Sequence, residues 1–398
     1  MVLSCGRTKP GTGHVVPFVQ RLLSDTLSAE FQSLSKVDLD NVSGSIAVIG
    51  APEDAILISE ALLDCDLRDN ISGRHVPDQL PDFSGETIAP LLDRANAPYN
   101  GFLSGGNPDL LREVTVRNVL LSLDTLCWQR PFDVMPPIRK SGAKLVILAS
   151  TVSSVYGLDQ LDTLRKVALS HLPVFSSLEA MLDDAASRKP GTRHMLVWTS
   201  ASNYESGVWQ DAPAIRNLAS PSSCVAYPAA DSLSIRDNFL SMLDNYIEEF
   251  GTRKISFILL DDPSVDPAEI DAVIASLLAS DDDNLVIYRN MLASDAACLS
   301  PSRSLRVLVF DYMRKANLFS HMIAYPHFSG MFTAPARGLE DGAYAPSGDF
   351  ADDFRYLRAQ DRPGQDYVPV MLRDRYIPDS LKVFMKQRAP KMYSRYVR

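Results

Sequence analysis

Residues 144–168, KLVILASTVSSVYGLDQLDTLRKVA, decide the fold class of this chain. They open with the apolar run Leu145–Ala149, pass through small hydroxyl residues, and continue with apolar residues at near-helical spacing. This pattern predicts a buried strand, a loop and an amphipathic helix, which together form half of a parallel βαβ unit. Because ligands of open α/β sheets bind at the carboxyl ends of the strands, the loop after residue 149 is a candidate site.

The same alternation of apolar runs and helical segments extends over most of the chain. We expect strands at 45–51, 87–92, 171–175, 193–200, 224–228, 254–260, 285–288 and 305–310. We expect helices at 15–34, 54–63, 108–123, 178–186, 205–218, 233–250, 266–278 and 312–319. Strands that alternate with helices of about 10–15 residues predict an α/β fold with mainly parallel sheets flanked by helices.

Changes in composition divide the chain into four parts. We predict an N-terminal tether at 1–14, a first α/β lobe with leading helices at 15–140, and a second α/β region at 141–327 that is able to share strands with the first. Residues 328–398 are rich in Pro, Tyr, Phe, Asp and Arg and show little periodicity. We expect them to form an irregular extension packed on the α/β body.

Composition limits the classes of partner. The chain has 398 residues, a net charge of −10 and 46% hydrophobic residues, which is typical of a globular protein. A general nucleic-acid binder would need a basic face, so we expect no nucleic-acid partner. The six His residues show no metal-ligand spacing, and we predict neither a metal site nor a cofactor.

The N-terminus indicates a membrane anchor. Val2-Leu3-Ser4-Cys5-Gly6 resembles the lipobox of bacterial lipoproteins, in which the cysteine becomes the lipidated first residue. A trimmed signal would place the protein in the cell envelope, in the periplasm or at the outer membrane, held by a lipid on Cys5; otherwise we expect it in the cytoplasm. The other cysteines have no CxxC spacing, and the sequence does not predict their pairing: Cys65, Cys127, Cys224 and Cys298.

A pseudo-repeat adds a second candidate site. Residues 254–274 repeat the pattern of 144–164, with an apolar strand, a short polar turn and a helix with early acidic residues. If the two units face each other across a cleft, Ser150 and Thr151 lie on one side, and Asp261 and Asp262 lie on the other. The hydroxyls could bind an anion or cap the helix, and the two carboxylates could form an acid–base pair or an ordinary turn.

Several short motifs resemble those of the aspartate/glutamate racemase family, and their order along the chain is consistent with it. Ala149-Ser150-Thr151 and Leu260-Asp261-Asp262 stand where that family has its two strand-end cysteine motifs, and Thr199-Ser200-Ala201 stands where it has a Gly-Thr-x-x-Thr segment. Residues 93–101, DRANAPYNG, resemble its Asp-Thr-Ala-Arg-x-Pro-Tyr-Gly loop. The resemblance implies two α/β lobes, and it implies ligand contacts from three residues of that loop: Asp93, Asn96 and Tyr99.

Both cysteines of the family are absent here. In the family, the two thiols exchange a proton with the α-carbon of the substrate from opposite faces, and neither Ser150 nor Asp261 supplies a thiol. We therefore expect an envelope lipoprotein without racemase activity that binds a small polar or carboxylate-bearing molecule in the cleft. The alternative is an isomerase or hydrolase that uses acidic and hydroxyl side chains on a small carboxylate-bearing substrate.

The acidic loop at residues 64–83 leaves three interpretations open. Asp69, Asp78 and Asp82 could hold a calcium ion through their oxygens, they could position a polar ligand, or they could close a rigid loop through Asx turns.

Overall fold

A computed structural model describes residues 13–37, 42–189, 194–212, 224–322, 324–362 and 364–397. The chain divides into two compact units. Unit 1 comprises Met1–Ser177 and Leu305–Arg398, and unit 2 comprises Leu178–Ser304. This division differs from the predicted lobes at 15–140 and 141–327, because residues 141–177 belong to unit 1 and the chain returns to unit 1 after residue 304. Within the described residues, no helix is both long and apolar enough to span a membrane.

Unit 1 contains nine strands, counted over its described residues. They are β1 (Ser45–Gly50), β2 (Thr87–Leu92), β3 (Leu126–Cys127), β4 (Ile138–Arg139), β5 (Ala143–Leu148), β6 (Val174–Ser176), β11 (His327–Phe328), β12 (Met331–Pro335) and β13 (Tyr367–Met371). Its first helices are α1 (Pro17–Ser24), α2 (Ala29–Ser35), α3 (Pro52–Leu63), α4 (Asn100–Ser104), α5 (Pro108–Leu123) and α6 (Thr151–Val167). Its C-terminal helices are α14 (Asp352–Leu357), α15 (Asp379–Arg388) and α16 (Pro390–Tyr396).

The remaining strands and helices belong to unit 2 or to its boundaries. They are α7 (Ser177–Arg188), β7 (Met195–Thr199), α8 (Ala201–Glu205), α9 (Val208–Asp211), β8 (Cys224–Pro228), α10 (Ile235–Phe250), β9 (Ile255–Asp261), α11 (Pro267–Leu278), α12 (Val286–Met291), β10 (Leu292–Leu299) and α13 (Pro301–Lys315). The unit boundaries fall at the start of α7 and within α13.

The sheets of the two units each contain four parallel strands with the same topology. In unit 1 the strand order is β13-β12-β2-β1-β5-β6, and in unit 2 it is β10-β9-β7-β8. The strands β2-β1-β5-β6 and β8-β7-β9-β10 are all paired in parallel, and each set follows the order 2-1-3-4. The strands of the pseudo-repeat, β5 and β9, both hold the third place in this order. The predicted α/β fold with mainly parallel sheets is therefore confirmed.

Burial explains why the apolar runs form strands. Every residue of β5 is buried, as is every residue of β1 and β9. Continuous apolar strands are typical of parallel sheets, since helices cover both faces. Helix α5 is buried around almost its whole circumference, because it packs on the sheet, on α6 and on α2.

Several predicted segments differ from the structure. In place of the start of the helix expected at 205–218, α8 ends at Glu205 and α9 spans Val208–Asp211. Residues 285–288 end a short 3-10 helix and begin α12, and residues 305–310 lie inside α13 rather than in a strand. A short apolar run is compatible with either a buried strand or a buried helix, so periodicity alone could not distinguish them. The C-terminal extension is more regular than predicted, because β12 pairs in parallel with β2 and antiparallel with β13.

Candidate functional site at the carboxyl edge of unit 1

The carboxyl ends of β2, β1 and β5 lie side by side in unit 1, with Gly50 at the end of the central strand. The carbonyl of Gly50 accepts a hydrogen bond from Asp93 N at 2.9 Å. On the other side, a Cβ added to Gly50 would lie 2.8 Å from Ser150 Oγ and 2.9 Å from Ala149 Cβ. Glycine is therefore needed for this close approach. Two of the residues predicted from sequence, Ser150 and Asp93, flank one strand end.

This edge contains the topological switch of the sheet. The chain leaves β1 for β2 on one side and later enters β5 on the other side. In doubly wound α/β folds, the crevice for ligands opens at such a point, where successive connections cover opposite faces of the sheet.

Ser150 connects the loops that follow β5 and β1. Its Oγ accepts a hydrogen bond from Ala51 N at 2.9 Å and donates to the carboxylate of Asp54. The side chain of Ser150 does not cap α6, although this residue precedes the helix. The capping role considered for Ser150 is therefore not the one it has in the structure.

The other hydroxyl groups of this loop turn toward the backbone. Ser153 Oγ and Ser154 Oγ donate to the carbonyl of Ser150 at 2.9 and 3.0 Å. Thr151, the first residue of α6, is buried. Asp54, whose carboxylate accepts from Ser150, is only half-buried. Sequence reasoning missed it, although its place in the first turn after β1 matches the place of the hydroxyls after β5.

Asp93 is the centre of a buried polar network. Its Oδ1 accepts hydrogen bonds from Asn96 Nδ2 at 2.7 Å and Thr333 Oγ1 at 2.6 Å. Its Oδ2 accepts from Tyr99 OH at 2.9 Å and Asn118 Nδ2 at 2.6 Å. Asp93 and Asn96 are fully buried. The three predicted loop residues are therefore brought together, and their contacts are with each other and with the core.

Two ionisable groups complete this network. Burial, and then the Asp93 carboxylate, raise the pKa of Tyr99 well above its ordinary value, so the phenol remains a hydrogen-bond donor. Arg358 donates from Nη2 to Asn96 Oδ1 at 2.6 Å, and its Nε lies 3.3 Å from Asp366 Oδ2. Burial lowers the pKa of Arg358. Arg358 comes from the C-terminal segment, whose irregular composition gave no signal for a contact with residue 96.

In unit 2, Asp261 is held at the equivalent switch between β7 and β9. Its Oδ2 accepts from Trp209 Nε1 at 2.7 Å and from Thr199 Oγ1 and Asn203 Nδ2 at 3.2 Å each. Asp262 turns away and accepts from the N–H and hydroxyl of Ser264. The two carboxylates thus engage different partners, and Asp262 closes an ordinary Asx turn.

The thiols of the described residues are poorly suited to proton transfer. None of the four cysteines forms a disulfide, and three of them are buried. Burial raises the pKa of Cys65, Cys127, Cys224 and Cys298, to about 12 for Cys224. A reactive thiol needs a lowered pKa and some exposure, so these four do not replace the cysteines of the racemase motifs. Cys5, the predicted lipidation site, lies outside the described residues.

The acidic loop at 64–83 closes on itself. Asp82 accepts from the Cys65 thiol at 2.8 Å and from Leu67 N and Arg68 N at 3.1 Å. Asp69 accepts from the next turn, at Ile71 N and Ser72 N. These contacts are those of a rigid loop stabilised by Asx turns. Over the residues that the structure describes, no group of three or more His, Cys, Asp or Glu side chains is placed to hold a metal ion.

Comparison with known proteins gives similarity in structure only. The chain matches no protein-family model and no curated protein by sequence. Its fold is similar to that of glutamate racemase from Francisella tularensis subsp. tularensis SCHU S4 in complex with D-glutamate, with 14% identity over 81% of this chain and 96% of that chain and a TM-score of 0.43.

Two further glutamate racemases give similar values. The enzyme from Thermus thermophilus, in complex with beta-chloro-D-alanine, has 15% identity over 80% of this chain and 94% of that chain, with a TM-score of 0.43. The enzyme from Aquifex pyrophilus has 14% identity over 79% and 95%, with a TM-score of 0.41. The motifs in the sequence resemble the same family. The ligands named here are those of the solved racemases.

Proposed function

We propose that this protein binds a small carboxylate-bearing molecule at the carboxyl edge of unit 1, between the ends of β1 and β5, without thiol chemistry. The observation that carries the proposal is the position of Ser150. Its hydroxyl lies at the topological switch, where it joins the loop after β5 to Asp54 and Ala51. A polar cluster at this edge is where the topology of the sheet favours a ligand.

The chemistry of this edge suits a ligand with two different polar groups. Helix α6 has 17 residues, and its macrodipole concentrates partial positive charge at its first turn, which favours a carboxylate. Asp54 offers a half-buried carboxylate nearby, which favours an ammonium or hydroxyl group. A molecule that carries a carboxylate and a hydrogen-bond donor, such as an amino acid or a hydroxy acid, fits both.

We infer a supporting role for Asp93, Asn96 and Tyr99. Their polar atoms are already paired inside the network, so they hold the carboxyl end of β2 in place beside Gly50. Asp261 has the corresponding supporting role at the switch of unit 2.

Catalysis on such a ligand is the second candidate function. The hydrogen bond from Ser150 Oγ to Asp54 supports this function. A carboxylate that accepts a hydrogen bond from a hydroxyl is placed to act as its general base. Proton NMR in D2O distinguishes the two functions. An isomerase that acts through the α-carbon exchanges the α-proton of aspartate or glutamate for deuterium, and a hydrolase converts an added ester or amide, whereas a binding protein does neither.

Thermal unfolding with added compounds tests the binding proposal. The panel consists of D- and L-aspartate, D- and L-glutamate, succinate and lactate. A compound present at about 100 times its Kd stabilises the folded state by about 2.7 kcal/mol, which is easily resolved as a rise in Tm. We expect at least one compound to raise the Tm of the wild-type protein and to raise that of Asp54→Asn by clearly less at the same concentration. A panel without any effect contradicts the proposal.

We also propose that a lipid on Cys5 anchors the protein in the cell envelope. The support is the segment Val2–Gly6, which resembles a lipobox, followed by the polar residues 7–13. Expression of the chain together with its native upstream coding sequence, in a bacterium fed an alkyne-bearing fatty acid, tests this point. We expect the wild-type chain to be labelled and to sediment with membranes, and Cys5→Ser to be unlabelled. An unlabelled wild-type chain contradicts the anchor and leaves the ligand site untouched.

A further inference from the structure

A cavity of about 280 Å³ lies at the carboxyl edge of the unit 1 sheet, on the opposite side of β2 from β1. Arg94, which follows β2, and Phe332, which lies in β12, belong to its lining. The connection between β3 and β4 and the segments before and after β13 complete the lining. The volume is close to the lower limit of small-molecule sites, about 300 Å³, so it fits a ligand of about one ring.

The charges of this lining are unevenly matched. Arg94 and Arg375 contribute two guanidinium groups, whereas Asp349 contributes the one carboxylate that the described residues place there. Arg94 Nη2 lies 3.5 Å from Asp349 Oδ1, which is longer than the about 2.7–2.9 Å of a strong charge-assisted hydrogen bond. The Arg375 guanidinium forms no ion pair with any residue that the structure describes, and it lies over the Tyr376 ring. The cavity therefore carries a net positive charge, which attracts a monoanion and repels a cation.

The guanidinium of Arg94 is both fixed and accessible. Its Nη1 donates to the carbonyl of Tyr376 at 2.5 Å, and its central carbon lies 5.0 Å from the centre of the Phe332 ring. The side chain of Arg94 keeps 20% of its surface exposed, so a ligand in the cavity can reach it. Burial lowers the pKa of Arg94, and the Asp349 carboxylate acts in the opposite direction. A partly desolvated guanidinium gains more from a bound carboxylate than a guanidinium in water does.

The walls of the cavity suit a flat apolar ring. Six of the lining residues carry rings themselves: Pro131, Phe132, Phe332, Pro335, Tyr376 and Pro378. Phe132 has a φ of 55°, in the left-handed region that a bulky side chain rarely occupies, and its side chain is 40% exposed. The ring of Tyr344 supports it in a T-shaped contact, with 5.6 Å between the ring centres. Backbone strain of this kind is concentrated at ligand clamps and active sites.

We propose that this cavity binds a monocarboxylate that carries one aromatic ring. The carboxylate pairs with the guanidinium of Arg94, Arg375 adds positive charge at the rim, and the ring packs beside Phe132. None of these side chains belongs to the Ser150–Asp54 edge, so this inference does not depend on the function proposed above.

Fluorine NMR of 4-fluorophenylacetate, titrated with the full-length chain, tests the proposal and also resolves weak binding. We expect the acid to bind, and the matched amine, 4-fluorobenzylamine, to bind at least about tenfold more weakly, because the guanidinium groups repel a cation. Arg94→Met should weaken the binding of the acid by about tenfold or more, since it removes the partner of the carboxylate. Asp349→Asn should strengthen the binding by about threefold, because it removes the competing carboxylate.

Arg373→Met is the matched control, since Arg373 is an exposed arginine close in sequence that does not line the cavity. It should bind the acid like the wild type. Arg375→Met changes an exposed position, so it provides the test if Arg94→Met does not fold, and it should weaken the binding by about threefold. The proposal is overturned if the acid does not bind, if the amine binds as well as the acid, if neither Arg94→Met nor Arg375→Met weakens the binding, or if Asp349→Asn binds more weakly than the wild type.

Discussion

Replacing Asp93 by Asn tests the buried network at the end of β2. The carboxylate accepts four hydrogen bonds, two at each oxygen. Asparagine can keep an acceptor at Oδ1, but it presents an amide NH2 to the donors at Oδ2, Tyr99 and Asn118. A hydrogen bond to a charged group contributes about 1.5–3 kcal/mol. With two bonds lost, we expect the free energy of unfolding to fall by about 3 kcal/mol or more.

Urea denaturation followed by circular dichroism measures this change. Asp25→Asn is the matched control in the same unit, because Asp25 is exposed and its Oδ1 accepts only from Leu27 N among the side-chain contacts described for it. We expect this control to change stability by about 0.5 kcal/mol or less. If Asp93→Asn remains within about 1 kcal/mol of the wild type, the network is not the support that we infer.

Three other predictions concern the same unit and the thiols. Gly50→Ala should destabilise unit 1 by about 1–3 kcal/mol, measured by urea denaturation, since the new Cβ would lie 2.8 Å from Ser150 Oγ; an unchanged midpoint contradicts the close packing. Lys144→Met should lower the free energy of unfolding by about 3–5 kcal/mol, because Glu86 stays buried without the Lys144 ammonium, which lies 2.7 Å from it. The double variant Lys144→Met/Glu86→Gln should recover part of that free energy, and an equal loss in both variants refutes the pairing. In a Cys5→Ser background, Ellman's reagent at pH 8 should react with native protein far more slowly than with urea-unfolded protein. Because burial raises the folded pKa of the thiols above the ordinary 9.0, their stabilising contribution is complete below pH 9 and is lost as the pH rises above it. Rapid reaction of the native protein, or a free energy of unfolding that rises from pH 9 to 10.5 more in the wild type than in Cys224→Ala, contradicts this.

The strands and helices with strong patterns could be predicted from the sequence. Helix α5 begins and ends where its apolar spacing predicted, and β1, β2, β5, β7, β8 and β9 lie within about two residues of their predicted bounds. The pseudo-repeat correctly indicated equivalent places for β5 and β9. The sequence could not show that residues 305–310 are helical, because a short apolar run is compatible with both a buried helix and a buried strand.

The places of the candidate residues at the sheet edge could be predicted, but their contacts could not. The rule for carboxyl ends of parallel strands placed Ser150 there, and the resemblance to the racemase loop singled out Asp93. It could not identify Asn118, Thr333 or Arg358, because their contacts with the loop at 93–99 depend on how distant segments pack. It also left open whether Ser150 caps its own helix, since capping and a contact with Asp54 need the same residue type at the same place.

The most direct test of the central claim is the affinity of the wild type and Asp54→Asn for the compound of the panel that raises the Tm most. Glu53→Gln is the matched control, because Glu53 lies in the same first turn of α3. Titration calorimetry should show Asp54→Asn binding at least about tenfold more weakly, while Glu53→Gln keeps the wild-type Kd. Equal affinity in the wild type and Asp54→Asn would contradict a ligand site at the Ser150–Asp54 edge.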